Sequence, residues 1–432
     1  MTRAVRRAAI VASAVIAGAV VISGCTATDL PPPTPQPTTS AVGRTGAFTP
    51  LTAEVITPPS PIPGSDGKVH LAFELLVRNT APRAANLTDV AISDAADPSR
   101  TVAELSGAEL LASTVLSGDL ALQRTTMIPA FATALVTIDA SVVPRTVPAE
   151  LQPHLTADFA PAQPDQPVYV SIFPDHVAED LPAITVDRAP VLSIGPPLAG
   201  GTWVMLNACC TLSAHRGAVL GRDGALVAPE RYGIDFTRIG PDGFHAGATH
   251  TIESDYSYGA EVLAVADGTV IQVTDALPDQ PLGVNPTGLS LDQLVGDSIV
   301  LDLGHGVFAL YAHNVPGSPR VQVGQNVKKG QVLALLGNSG NSTAPHLHFQ
   351  LMAGPQPLNS DGVPFTWDRY TLVGQFHGDS YEPLAPKSER TSYALSGNAI
   401  RFPGPATGNI ATLPSGGLPN TAPGETDDGL GD

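Results

Sequence analysis

Two histidines, His346 and His348, close the stretch Gly337-Asn338-Ser339-Gly340-Asn341-Ser342-Thr343-Ala344-Pro345-His346-Leu347-His348-Phe349. Its Gly/Asn/Ser beginning has the chemistry of a tight turn. Its end, His-Leu-His-Phe-Gln-Leu, reads as a strand, in which residues two apart share a face. Both imidazoles therefore look to one side, and Leu347 and Phe349 to the other. Imidazole is the commonest metal ligand, so one ring can hold an ion while the other stays beside it as acid or base. Two solvent-facing histidines on an edge strand have the same spacing, so the rest of the chain must decide.

Four more stretches precede this one in order: Arg231-Tyr232-Gly233-Ile234-Asp235, Ala264-Val265-Ala266-Asp267-Gly268-Thr269-Val270, Leu310-Tyr311-Ala312-His313, and Val323-Gly324-Gln325-Asn326-Val327-Lys328-Lys329-Gly330-Gln331. Taken together, residues 229–352 resemble the M23 (LytM-type, lysostaphin-like) zinc metallopeptidases. The resemblance implies a cleft in an antiparallel β-sheet and a Zn2+ site. Asp235 and His348 map onto metal ligands, and His313 and His346 onto the residues flanking a metal-activated water. It also implies a substrate, the peptide cross-links of bacterial peptidoglycan.

The family's first His ligand stands four residues before the Asp, where this chain has Arg231. A guanidinium stays protonated and cannot ligate zinc. Three protein ligands and one open position make a catalytic zinc site, so another His must complete the set or the site is degenerate. The candidates are His215, His245 and His250. His215, in Asn207-Ala208-Cys209-Cys210-Thr211-Leu212-Ser213-Ala214-His215-Arg216, resembles a variant M23 arrangement and is the expected third ligand. Arg231 is then expected to bind substrate, at a carboxylate or the attacked carbonyl. His305 reads as a turn residue, and His70 and His154 as ordinary surface histidines.

The elements that must carry these residues are strands. The chain has 432 residues, with 42 Gly and 42 Pro, so β structure, loops and linkers should dominate. Lys68 to Arg78 alternates apolar and polar, as a half-buried strand does. Short runs at Asp89–Ser93, Thr101–Leu105, Ala132–Ala140 and Pro167–Phe173 suggest an immunoglobulin-like β-sandwich over 48–190. After a Pro/Gly hinge at 191–200, a second domain to residue 390 reads as Glu261–Ala266, Gly268–Thr274, Asp297–Leu303, Val307–His313 and Gln331–Gly337. Asp267-Gly268 reads as a hairpin turn, and 276–296 as an inserted loop. The expected fold is all-β, a sandwich and an antiparallel M23-type sheet, the two folding separately. Residues 391–432 read as a disordered tail.

The N-terminus reads as an export signal: Arg3, Arg6 and Arg7, an apolar run from Ala8 to Val21, then Ile22-Ser23-Gly24-Cys25. It looks like a bacterial lipoprotein signal over 1–25, with lipid on Cys25. Residues 26–47, rich in Pro and Thr, make a tether. The protein is expected at the outer face of the cell membrane, held by that lipid. Cys209 and Cys210 are adjacent, open to a vicinal disulfide, an interchain bond or the reduced state. Lys+Arg 22 against Asp+Glu 40 gives a net charge of −18, which argues against nucleic acid as a partner.

Three functions compete on this reading. The first is a zinc endopeptidase of the cell wall. The second is a non-catalytic LytM-like module that binds wall or activates another hydrolase. The third is a biotinyl- or lipoyl-type carrier, disfavoured because no Met-Lys-Met marks a modifiable lysine.

Overall fold

The computed structural model describes residues 49–119, 121–162, 172–378 and 380–408. The signal segment, Cys25, the tether, most of Pro167–Phe173 and residues 409–432 lie outside the described residues.

Two antiparallel sheets make the N-terminal half. One runs in the order Leu51–Val55, Val69–Asn79, Thr133–Val142, Thr114–Leu116. The other runs His176–Asp180, Glu150–Phe159, Ala85–Asp94, Asp97–Ser106. Alternation in Val69–Asn79 sends Leu71, Phe73, Leu75 and Val77 into a core shared with Val90, Ile92, Val136, Ile138, Leu151 and Leu155. The expectation of a half-buried strand is corrected here, because its other face is also covered. Ala72 belongs to the core of the C-terminal half, and Leu76 packs with Leu212.

The C-terminal half is built on one large antiparallel sheet. Its centre runs Gly268–Thr274, Ser298–Asp302, Phe308–Ala312, Leu347–Met352, Ile234–Ile239, Thr202–Leu206, Asn398–Arg401, Tyr370–His377. One face carries a dense apolar layer including Trp203, Phe236, Tyr311, Phe349, Phe365 and Trp367. The large residues of the site strands lock into this layer: Phe349 is 5.7 Å from Trp367 and 5.5 Å from Phe365, ring centre to ring centre.

Several expectations change. The described residues 49–408 fall within one compact unit. The hinge at 191–200 is a packed segment: Leu192–Ile194 pairs in parallel with Phe365–Trp367, and Ile194 and Leu198 are buried. The tail does not begin at 391, because Asn398–Arg401 is an inner strand of the large sheet and Tyr393 is fully buried. Tyr393, Ile400 and Phe402 supply apolar surface that the Gly/Pro-rich sequence beyond them lacks. Asp267-Gly268 links two sheets instead of closing a hairpin, since Glu261–Leu263 pairs with Val332–Leu335 and Gly268–Thr274 with Ser298–Asp302. Among the described residues no helix is long and apolar enough to cross a membrane.

Candidate metal centre

Strand pairing brings the first two residues together. Asp235 lies directly opposite His348 on neighbouring antiparallel strands, a position where side chains on one face touch. The His348 Nδ1 atom is 2.9 Å from Asp235 Oδ1. Their shared face is the one opposite Phe236, Leu347 and Phe349, all of which are buried in the apolar layer. The pleat noted in the sequence thus separates chemistry from core.

His215 comes from a different kind of element. The chain leaves strand Thr202–Leu206, passes Cys209 and Cys210, and enters a four-residue helix, Ala214–Gly217. Ser213 caps this helix by accepting from the Arg216 backbone N–H. His215 Nε2 then sits 3.1 Å from Asp235 Oδ2. One ligand atom each of His215, Asp235 and His348 lies within 4.8 Å of the others, and all three residues are buried. Gly233 is the residue that permits this approach. A Cβ there would stand 3.2 Å from both His215 Nδ1 and His348 Cε1, and 3.1 Å from the Glu230 carbonyl oxygen.

Neighbouring groups orient each ring. His348 Nε2 donates to Gln350 Oε1 at 2.8 Å, so Nδ1, which faces Asp235, would be the ring nitrogen offered to an ion. Such outer partners fix the tautomer of a metal-binding histidine. Asn207 Nδ2 donates to Asp235 Oδ2 at 3.0 Å. His313 follows strand Phe308–Ala312 in a left-handed conformation (φ 64°), and its Nδ1 donates to the Ser339 carbonyl at 2.7 Å. His346 Nδ1 donates to the Ala344 carbonyl at 2.9 Å. His346 Nε2 reaches to 3.6 Å from Asp235 Oδ1. The two flanking rings therefore keep Nε2 available on the cavity side.

The electrostatics of the site favour positive charge beside Asp235. Burial disfavours the His215 cation, yet the charge and hydrogen bond of Asp235, with Glu230 behind, raise its pKa to about 10. Burial would raise the Asp235 pKa, but His215, His346 and His348 hold it well below the usual carboxylate range. Burial, together with the charges of His346 and His348, keeps His313 well below the usual histidine range, and so neutral. Two imidazoles and one carboxylate, converging and preset in tautomer, fit a divalent ion such as zinc that takes N and O ligands and keeps a position open. The metal would displace the proton that Asp235 now holds on His215.

These side chains line one pocket together with Glu230 and Asn341. Its other wall is apolar: Ala218, Leu220, Leu294, Val295 and Leu358. Leu294 and Val295 belong to the loop expected at 276–296.

Five of the expected residues, His215, Asp235, His313, His346 and His348, meet in this one pocket. Arg231 does not, and its expected substrate role is corrected. Its side chain is 2% exposed and pairs with Glu74 of the N-terminal half. His245 and His250 stack on each other at 4.4 Å, with His250 bonded to Asp255, and take no part in the cluster. His70 is not a surface residue; it is buried between Asp139 and Asp66. Cys209 and Cys210 form a vicinal disulfide. Gln350 and Glu230 were missed. Gln350 was within reach of the pleat argument, since it stands two residues after His348 on the same face.

Residues 247–360 match the profile of peptidase family M23. That segment contains His313, His346 and His348 but stops short of His215 and Asp235. Over 68 residues the chain is 38% identical to the DD-carboxypeptidase/endopeptidase Mpg of Neisseria meningitidis serogroup B, covering 16% of this chain and 15% of that one. Over 103 residues it is 36% identical to the murein hydrolase activator EnvC of Escherichia coli, covering 24% and 20%. Among solved structures, a zinc-containing peptidase from Vibrio cholerae aligns with a TM-score of 0.23 and 14% identity over 72% of this chain and 86% of that one. The chain thus spans 15% and 20% of the length of these two curated relatives.

Proposed function

Proceeding from an M23 peptidase domain at residues 247–360, we propose that this protein is a zinc-dependent endopeptidase that cuts the peptide cross-links of bacterial peptidoglycan. The observation that carries the reading is the approach of His215 to Asp235 and His348. It supplies the third ligand that Arg231 cannot. His215 through Nε2, Asp235 through a carboxylate oxygen and His348 through Nδ1 would hold the ion. Zinc bound there acts as a Lewis acid and lowers the pKa of water to about 7.

The chain's own residues do the rest. His313, kept neutral by burial and with its Nδ1 proton tied to Ser339, takes a proton at Nε2 from the attacking water. The same nitrogen can return it to the leaving amine. His346, its Nδ1 tied to Ala344, faces the same space and steadies the developing oxyanion once protonated at Nε2. The Leu294, Val295 and Leu358 wall excludes water from one side and presents apolar surface to a small side chain of the substrate. The relative named a murein hydrolase activator supports the substrate class.

The test is zinc content and cleavage measured together on the purified chain. About one zinc per chain and release of new amino groups from purified peptidoglycan are expected. A metal-free, inert chain that stimulates a separate wall hydrolase would move the assignment to a non-catalytic activator. That second reading draws support from the relative named as an activator and from the arginine in the family's first ligand position.

Placement at the outer face of the membrane is part of the proposal, and rests on the basic-apolar-Ser-Gly-Cys order that ends at Cys25. Cys25→Ala should move the protein out of the membrane fraction or block its processing. Unchanged fractionation of the variant would refute the anchor.

A further inference from the structure

Arg216 follows His215 in sequence and points the opposite way, into the N-terminal sandwich. Its Nε donates to Glu74 Oε1 at 2.7 Å. One terminal nitrogen donates to the Cys210 carbonyl. The other donates to the carbonyls of Phe73 at 3.0 Å and Ile138 at 3.3 Å. Phe73 and Ile138 are direct cross-strand partners, so the guanidinium spans two strands of the sandwich at once. Arg231 ends on the second oxygen of Glu74. Glu74 and Arg216 have no exposed surface.

Each part of this triad reaches the metal cluster through a short piece of backbone. Arg216 is fixed at every polar nitrogen, and a guanidinium is a rigid fork. That leaves the four-residue helix, and with it His215, little freedom. Arg231 lies four residues before Asp235 and one after Glu230 of the pocket wall. A helix this short has almost no stability of its own, so an outside anchor must hold His215 where Asp235 can meet it.

We propose that Glu74, a residue of the N-terminal half, is a positioning residue of the metal centre. By clamping Arg216 and Arg231 it holds His215 in the ligand set, and it makes the sandwich a component of the site instead of a spacer. This rests on the metal reading given above. It also accounts for Arg231: the position that could not be a ligand holds the scaffold that brings the substitute ligand in.

The test uses the full chain, with zinc affinity measured by competition against a chromophoric chelator and the visible spectrum of the Co2+ form as a second readout. Glu74→Gln keeps the size but lets only one oxygen accept. Zinc affinity should fall by about 10- to 100-fold, the usual effect of losing an outer-shell partner, and the Co2+ band should change shape. Because two arginines left without their anion can unfold the chain, Glu74→Leu combined with Arg216→Met and Arg231→Met removes all three charges together. This triple variant should unfold cooperatively near the wild-type temperature when metal-free, yet show the same loss of affinity. Wild-type affinity and spectrum in a folded triple variant would overturn the proposal, as would failure of both variants to fold, since the clamp would then hold the fold and not the site. A wild-type chain that binds no zinc would instead refute the metal reading itself.

Discussion

At the scale of single residues, the proposed function divides the cluster into ligands and proton carriers, and mutation should separate them. His215→Ala removes one of the three proposed ligands, so both zinc and peptidoglycan cleavage should be lost, read by metal analysis beside turnover. His313→Ala leaves the ligands untouched. Zinc should stay while turnover falls by about 10²- to 10⁴-fold, the range for a lost general base. Retention of zinc by the His215 variant would remove it from the ligand set. The pH response follows from the same groups. In the metal-free protein the pKa of His215 is raised from 6.5 to about 10. Its stabilising pairing is therefore complete below about pH 6.5 and is lost as pH rises through about 10. The pKa of Asp235 is lowered, so its contribution holds above about pH 4 and is lost on acidification. Zinc must expel the His215 proton, so apparent affinity should rise roughly tenfold per pH unit between about pH 6 and 9. Titration calorimetry in buffers of different ionisation heat should count about one proton released per zinc. A flat affinity would mean that His215 is already neutral and unpaired.

At the scale of elements, the strand Leu347–Met352 carries more than its two histidines. His348 and Gln350 share a face, and the amide oxygen of Gln350 decides which nitrogen of His348 is protonated. Gln350→Leu fills the same buried volume without an acceptor. Zinc affinity should drop by about 10- to 100-fold while the strand, packed through Leu347, Phe349 and Leu351 on its other face, keeps its thermal stability. An unchanged affinity would show that the ring keeps its orientation through Asp235 alone. The short helix Ala214–Gly217 contrasts with this strand. It contributes His215 to the cluster but no core residue of the large sheet, and leans on Arg216 for its position.

At the scale of the whole molecule, each half has its own main apolar core, but Ile62 and Ala72 lie in the core of the C-terminal half, Leu212 packs with Leu76, Val115 and Leu135, and polar and β contacts tie the halves further. Tyr393 donates its backbone N–H to Pro63 at 2.7 Å, and Ser65 donates back to Tyr393 at 3.0 Å. The Ser65 hydroxyl donates to Asn398 at 2.5 Å. Glu74 holds two buried arginines of the other half. Losing one partner of a buried ion cluster costs about 3–5 kcal/mol, a large part of a domain's total stability. A fragment from residue 191 onward should therefore be insoluble or lack a cooperative thermal transition, where the 49–408 chain shows one. A soluble, cooperatively unfolding, zinc-binding fragment would restore the picture of independent domains.

What could be read without coordinates had a short physical period or a local motif behind it. The pleat of two residues placed His346 and His348 on one face and showed the strand at Val69–Asn79, because alternation follows from strand geometry whatever the rest of the chain does. The resemblance carried by residues 229–352 brought Asp235 and His313 to the same site. The chemistry of the guanidinium was enough to exclude Arg231 as a ligand. The destination of Arg231 and the orientation of His215 were different in kind. Each depends on Glu74, which stands 142 residues before Arg216 and 157 before Arg231. In its own strand Glu74 looks like one more solvent-facing position in an alternating pattern. Only packing the second half over that face turns it into a buried anion between two arginines. Alternation shows which residues share a face, but what covers that face is decided by segments far away in sequence, through contacts that leave no local period.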